Sequence, residues 1–300
     1  MRGIIDSHHH LWDLDAHAYP WYSKQPEDRG WGDMSALMQN YLVANLREDA
    51  ASAGWRIEKS VHVQANFDPT RPVVETEWLQ SIADAEGPNG LPTAIVAWCN
   101  LLGPDCAEVL AGHAQFSRIR GVRQVLNRHP DPKFNRAPVD FLNDESWIEN
   151  FGLLSLYGFS FDAQIYAHQW EDLLRLAKRY PETSIILDHA LMPEDHSPEG
   201  IALWRKAVSE LSQQPNLTIK LSGFGMVNNQ WTVEFIRPIV EHCISSFGSE
   251  RAMFGSNFPV DKLMAAWGKL WGAYAKIVEG YSEKEQNDVF CATAERVYRI

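Results

Sequence analysis

The chain has few cysteines, and their spacing builds no site. Four occur in 300 residues (Cys99, Cys106, Cys243 and Cys291), none in a CxxC pair. That excludes a zinc ribbon and a disulfide framework, and it suits a reducing compartment, so a cytoplasmic location is expected. No apolar run reaches about 18 residues, which argues against a transmembrane helix. No apolar h-region precedes the first strand pattern, so no secretory leader is expected. Positive charge is also scarce. Against 39 Asp and Glu stand 27 Lys and Arg, a net charge of −12. This balance argues against nucleic acid and anionic membrane surfaces and for a small-molecule partner in a locally basic pocket. No GxGxxG follows the first strand pattern, which removes the main argument for a dinucleotide fold. No internal repeat or low-complexity linker divides the chain, so one domain over 1–300 is the simplest account.

What is present is alternation. Short apolar segments at Gly3–His8, Ile57–Gln64, Thr93–Trp98, Ile119–Arg123, Ser160–Gln164, Ser184–His189, Thr218–Ser222 and Ala252–Asn257 predict eight strands. Amphipathic stretches lie between them. Trp170–Tyr180 places Leu173, Leu174, Leu176 and Ala177 on one stripe, and Ile201–Leu211 and Val233–Phe247 follow the same period. Pro181 and Gly248 stand where helices stop. Eight strands separated by helices, with 45% hydrophobic residues to fill a core, predict an α/β fold: a single (β/α)8 TIM-like barrel with its active site at the C-terminal ends of the strands.

The polar residues fall at those ends. The first strand runs into Asp6-Ser7-His8-His9-His10. Alternation puts His8 and His10 on one side and His9 on the other, a pair suited to a metal or to shared proton chemistry. Strand two carries His62 and Gln64, strand four Arg123 and Gln124, strand five Asp162 and Gln164. Strand six ends in Asp188 and His189, strand seven carries Lys220 and Ser222, and strand eight ends in Ser256 and Asn257. His189 shares parity with Ile185 and Leu187, which directs it inward if they point inward; Asp188, on the opposite parity, is expected against helices or at a loop cap. A polar or ionisable residue at seven strand ends reads as a built site.

These residues carry a family resemblance over nearly the whole chain. IIDSHHHLWD at the start, GVRQVL at 121–126, ILDHA at 186–190, IKLSGFG at 219–225 and MFGSNFPVD at 253–261 resemble the amidohydrolase superfamily. The branch is that of sugar-acid lactonases and 2-pyrone-4,6-dicarboxylate lactonase. The resemblance implies a metal-dependent or metal-optional hydrolase. His8, His10 and His189 match the family's histidines and are the implied metal ligands and catalytic residues, with zinc foremost among divalent ions. Asn257 stands where most members carry the aspartate that takes a proton from the attacking water. An amide is no base at neutral pH. Asp261, Asp162 or one of the histidines is left to take that part, and three neutral ligands hold a dication less well, so metal binding is expected to be weak or absent.

Substrate binding is expected from Arg123, whose fork suits a carboxylate or carbonyl oxygen, with Gln64, Asp162, Lys220 and Trp12. Asp162 could instead orient a histidine, and Lys220 could be a structural cation. His62 and His168 are weaker candidates. Trp12, Tyr19, Trp21, Tyr22 and Trp31 follow strand one and are read either as a stacking surface over the barrel mouth or as a cluster pinning a long loop. The reaction expected is water attack on a cyclic ester, a lactonase acting on a sugar-acid or carboxylated lactone. The alternatives are a metal-dependent decarboxylase of the same superfamily and a non-catalytic ligand-binding barrel. A homo-oligomer is left open.

Overall fold

The computed structural model describes residues 2–22 and 33–300; Trp31 lies outside them. Eight parallel strands form one sheet in sequential order: β1 Arg2–His9, β2 Trp55–Val63, β3 Ala94–Trp98, β4 Ile119–Val125, β5 Ser160–Gln164, β6 Ile185–Leu187, β7 Leu217–Leu221 and β8 Ala252–Phe254. Each of the eight apolar segments in the sequence is a strand. The sheet curls into a barrel whose seam is closed near the mouth. There Asn257 N–H donates to His8 O at 2.7 Å, and His10 N–H donates to Phe258 O at 2.7 Å. Helices fill the crossovers, including Trp170–Arg179, Pro198–Ser212 and Val233–Phe247. The fold is a (β/α)8 barrel.

Alternation along each strand sorts two cores. Outward residues such as Ile4, Phe161, Ile185, Leu187, Ile219 and Phe254 join the large cluster beneath the helices. Inward residues Ile5, Val61, Val96, Ile186 and Met253 form a second cluster, plugged by Tyr298 near the C-terminus. The register slips at Ile4/Ile5, Asp6/His9 and Ile95/Val96, and two irregularities, at the end of β1 and after β6, serve the mouth. Between Asp6 and His9 the β1–β2 register slips, so β1 carries an extra residue there. A bulge of this kind switches side-chain parity. Ile5 points inward below it, and His8 above it. At β6 the strand ends at Leu187, and His189, Ala190, Leu191 and Met192 all have positive φ. Since Ile185 and Leu187 face outward, the inward residues are Ile186 and Asp188. This corrects the expected placement of Asp188. His189 reaches the mouth through its left-handed backbone (φ 56°) and not through strand parity.

Candidate active site

The mouth holds a pocket of about 600 Å³ whose lining includes His10, Arg123, His189, Asn257, Gln64 and Trp12. His8 lies fully buried at its floor, with ring centroids 5.1 Å from His10 and 4.6 Å from His189. Each ring has one nitrogen held from behind. His10 Nδ1 lies 2.7 Å from the Val63 carbonyl, which can only accept, so the proton sits on Nδ1 and Nε2 keeps its lone pair. His8 Nδ1 lies 3.3 Å from Asp188 Oδ1 and 3.3 Å from Lys220 Nζ. Nδ1 thus stands between a carboxylate that only accepts and an ammonium that only donates, and Lys220 also bonds Asp162 and lies 3.5 Å from Asp188 Oδ1. His8 Nε2 is buried and without a partner among the described residues. Ser222 Oγ holds His189 Nδ1 at 3.0 Å. Burial, more than the neighbouring cations, keeps these rings neutral. It pushes His10 and His189 down to about 3 and His8 well below the usual imidazole range.

Asn257 completes the group. Its Oδ1 lies 3.3 Å from His10 Nε2, and its Nδ2 donates to Asp261 Oδ1 at 2.9 Å. Three neutral imidazoles and an amide oxygen thus offer lone pairs at one floor. His8, Asp188 and His189 each bring a ligand atom within 4.8 Å of the other two. An orphaned imidazole nitrogen and a set of unprotonated donors fit a divalent cation. The group that meets this requirement is His8, Asp188 and His189, with His10 and Asn257 beside it at the mouth. Burial alone would raise the Asp188 carboxyl, but Lys220, His8 and His189 together hold it well below the carboxylate range.

Other residues named from sequence sit elsewhere. Lys220 is fully buried under the floor, bonded to Asp162, which also accepts from Tyr298 Oη at 2.9 Å. Neither lines the pocket. The expectation that Asp162 and Lys220 bind substrate is therefore corrected: a buried cation needs a partner, and each satisfies the other inside the barrel. Asp261 is buried behind Asn257 and does not line the pocket either, which removes it as a base facing substrate. Burial pushes its carboxyl up to about 7. Arg123 does line the pocket, but its guanidinium already donates to Gln164 Oε1, and its Nε lies 3.6 Å from Asp188 Oδ2. Gln64 Nε2 is buried and unpartnered among the described residues. His62 accepts from Leu11 N–H at 3.1 Å, tying β1 to β2. His9 faces away from His8, within 2.9 Å of Ser60 Oγ.

Of the aromatic loop, Trp12, Tyr19 and Trp21 pack as a cluster, with Trp12 4.9 Å and Tyr19 5.5 Å from Trp21 between ring centroids. Trp12 and Trp21 line the pocket, and their indole N–H groups are anchored to the Gln39 and Ala65 carbonyls at 2.7 Å each. Glu194 was missed. It is the one carboxylate lining the pocket among the described residues, and burial raises it to about 7. His129 Nε2 stands 4.0 Å from it, and with His168 the three make a second cluster at the rim. The signal was available, since Met192-Pro193-Glu194 directly follows the strand-six histidine at the active-site face.

The amidohydrolase family model matches residues 5–300. An uncharacterized protein, y4mH, of Sinorhizobium fredii is 40% identical over 305 residues, covering 99% of this chain and 98% of its own. L-fucono-1,5-lactonase of Burkholderia multivorans is 26% identical over 312 residues, covering 99% of this chain and 96% of the lactonase. The crystal structure of a Burkholderia multivorans amidohydrolase with bound zinc matches with a TM-score of 0.80 at 25% identity, over 99% of both chains. Barrel, strand-end histidines and a family match over almost the full length agree: the chain belongs to the amidohydrolase family.

Proposed function

We propose that the protein is a lactonase that opens a neutral, hydroxylated sugar-acid lactone by water attack on the ring ester. The observation that carries this reading is the meeting of His10 Nε2 and Asn257 Oδ1 at the pocket, 3.3 Å apart, above the buried and unpartnered His8 Nε2. When bound there, a divalent ion lowers the pKa of water and polarises a carbonyl. The chain's own residues do the rest. Gln64 Nε2 offers an uncommitted donor to a substrate oxygen. Trp12 and Trp21, 4.9 Å apart, give the ring an apolar face. Asn257 orients water without taking its proton. The proton passes to Glu194, whose raised pKa of about 7 suits a group that accepts a proton and returns it to the leaving hydroxyl. The likeness to L-fucono-1,5-lactonase supports this reaction class.

Arg123 favours a neutral substrate over a carboxylated one. Its charge is already matched by Asp188, and of the other two charged side chains lining the pocket among the described residues Glu194 opposes Arg136 above about pH 7, so the lining carries no excess positive charge there. The same balance disfavours a decarboxylase, whose substrate must bring a carboxylate. The test is a panel of neutral aldonolactones beside carboxylated lactones and aromatic acids, with ring opening and carbon dioxide release both followed. The expected result is ring opening of neutral lactones at a kcat/KM above that for any carboxylated member. Carbon dioxide release from an aromatic acid, or no turnover with any compound while ligands still bind, would move the assignment to the decarboxylase or to the binding barrel.

A further inference from the structure

Asn257 and His10 face each other in an arrangement that hydrogen bonding alone does not explain. His10 has its proton on Nδ1, bonded to the Val63 carbonyl, so Nε2 is an acceptor. The Asn257 group 3.3 Å away is the amide oxygen, also an acceptor. Two lone pairs meeting in a buried site repel unless something positive lies between them. Rotating the amide by half a turn would present Nδ2 to His10 and make an ordinary N–H···N bond. Asp261 prevents that rotation. Its Oδ1 accepts from Asn257 Nδ2 at 2.9 Å, and its Oδ2 accepts from Gly225 N–H at 3.4 Å, so both oxygens are held in place. A rotated amide would press its oxygen against that carboxylate. The backbone fixes the pair further: Asn257 has φ 55°, and Asp261 N–H donates to Asn257 O at 3.1 Å.

We propose that Asp261 is a positioning residue, which by holding the Asn257 amide nitrogen turns its oxygen toward His10 Nε2 and keeps the gap between them open for a divalent cation. Asn257 and Asp261 together divide what one carboxylate would otherwise do. The amide supplies the donor atom, and the carboxylate behind it supplies orientation and nearby negative charge. The inference rests on the lactonase reading only for the use made of the cation. It also changes what Asn257→Asp alone should do. That substitution sets two carboxylates where an amide nitrogen and a carboxylate oxygen now lie 2.9 Å apart, and like charges at that distance force one to take a proton. Exchanging both residues, Asn257→Asp with Asp261→Asn, keeps one donor and one acceptor across the pair.

The experiment is a calorimetric titration of the chelator-treated full-length protein with zinc ion alone, with a competing chelator for tight binders. Asp261→Ala frees the amide to rotate onto His10 and is expected to weaken zinc binding by about 10- to 100-fold, as losing an outer partner of a ligand does. Asp261→Asn retains an acceptor for Asn257 Nδ2 but sets its own Nδ2 against Gly225 N–H, so it is expected to bind zinc more tightly than Asp261→Ala and less tightly than wild type. The double exchange is expected to bind zinc more tightly than Asn257→Asp alone. If Asp261→Ala does not fold, that last comparison decides. Wild-type affinity in Asp261→Ala, a double exchange no tighter than Asn257→Asp, or no zinc binding by the wild-type protein overturns the assignment. Failure of the wild-type protein to open lactones leaves these affinities as they are and tells against the reaction alone.

Discussion

A carboxyl's surroundings decide what it can do, and Glu194 is the instructive case. Its neighbours in the sequence mark it as a loop residue, yet it lines the pocket with its side chain only 15% exposed. Burial raises its pKa from 4.5 to about 7. The folded protein therefore binds more protons than the unfolded chain between those values, so Glu194's stabilising contribution, full at low pH, is lost as pH rises toward 7. Glu194→Gln should remove this loss, so that the variant gains on wild type between about pH 5 and pH 7.5 in denaturant titrations. As the proton acceptor, Glu194 must be charged to act. The wild-type rate should rise with pH through about 7, and Glu194→Gln should lower kcat by about 10²-fold or more and abolish that limb. A rising limb near pH 7 that survives in the variant would remove Glu194 from the reaction.

At the scale of elements, two irregularities place the histidines. The β1 bulge turns His8 and His10 inward, and the left-handed turn after β6 delivers His189. Gly223, just after β7, makes room for the second. Its φ is 69°, and a Cβ there would lie 2.5 Å from His189 Nδ1. Gly223→Ala should both strain the backbone and push the imidazole off the floor. The expected outcome is a lower melting temperature together with loss of zinc affinity; unchanged affinity in a folded variant would show that His189 is not needed there. These irregularities also mark what sequence reading reaches. All eight strands and Val233–Phe247 were legible because apolar runs and a 3.6-residue stripe report burial directly. His8 and His10 were legible as a pair for the same reason. Asp188 was not, because its inward direction depends on Ile186 rather than Ile185 and Leu187 facing the axis, and both parities of β6 are apolar. Lys220 and Asp162 were assigned to substrate because a strand-end cation looks available until its partner across the barrel is seen. Glu194 escaped because periodicity carries no information about loops.

At the scale of the molecule, the barrel gathers ionisable groups that are far apart in the chain and sets them in order. Tyr298 plugs the interior and bonds Asp162; Asp162 holds Lys220; Lys220 and Asp188 stand behind His8; His10, His189 and Asn257 line the pocket, with His8 buried beneath them. Asp162 and Asp188 set negative charge behind the floor, and the histidines and Asn257 in front of it are neutral. Among the described residues no helix is long and apolar enough to cross a membrane. In the proposed reaction, lactone opening depends on a divalent ion held at this histidine cluster. Its most direct test is a zinc titration of the metal-stripped protein, with bound zinc and the rate of neutral-lactone opening measured on the same samples. The account predicts that stripped protein is inactive, that the rate rises in proportion to bound zinc and levels off at one ion per chain, and that His10→Ala does neither. Full activity in the stripped protein, or a rate that does not follow the bound zinc, would contradict it.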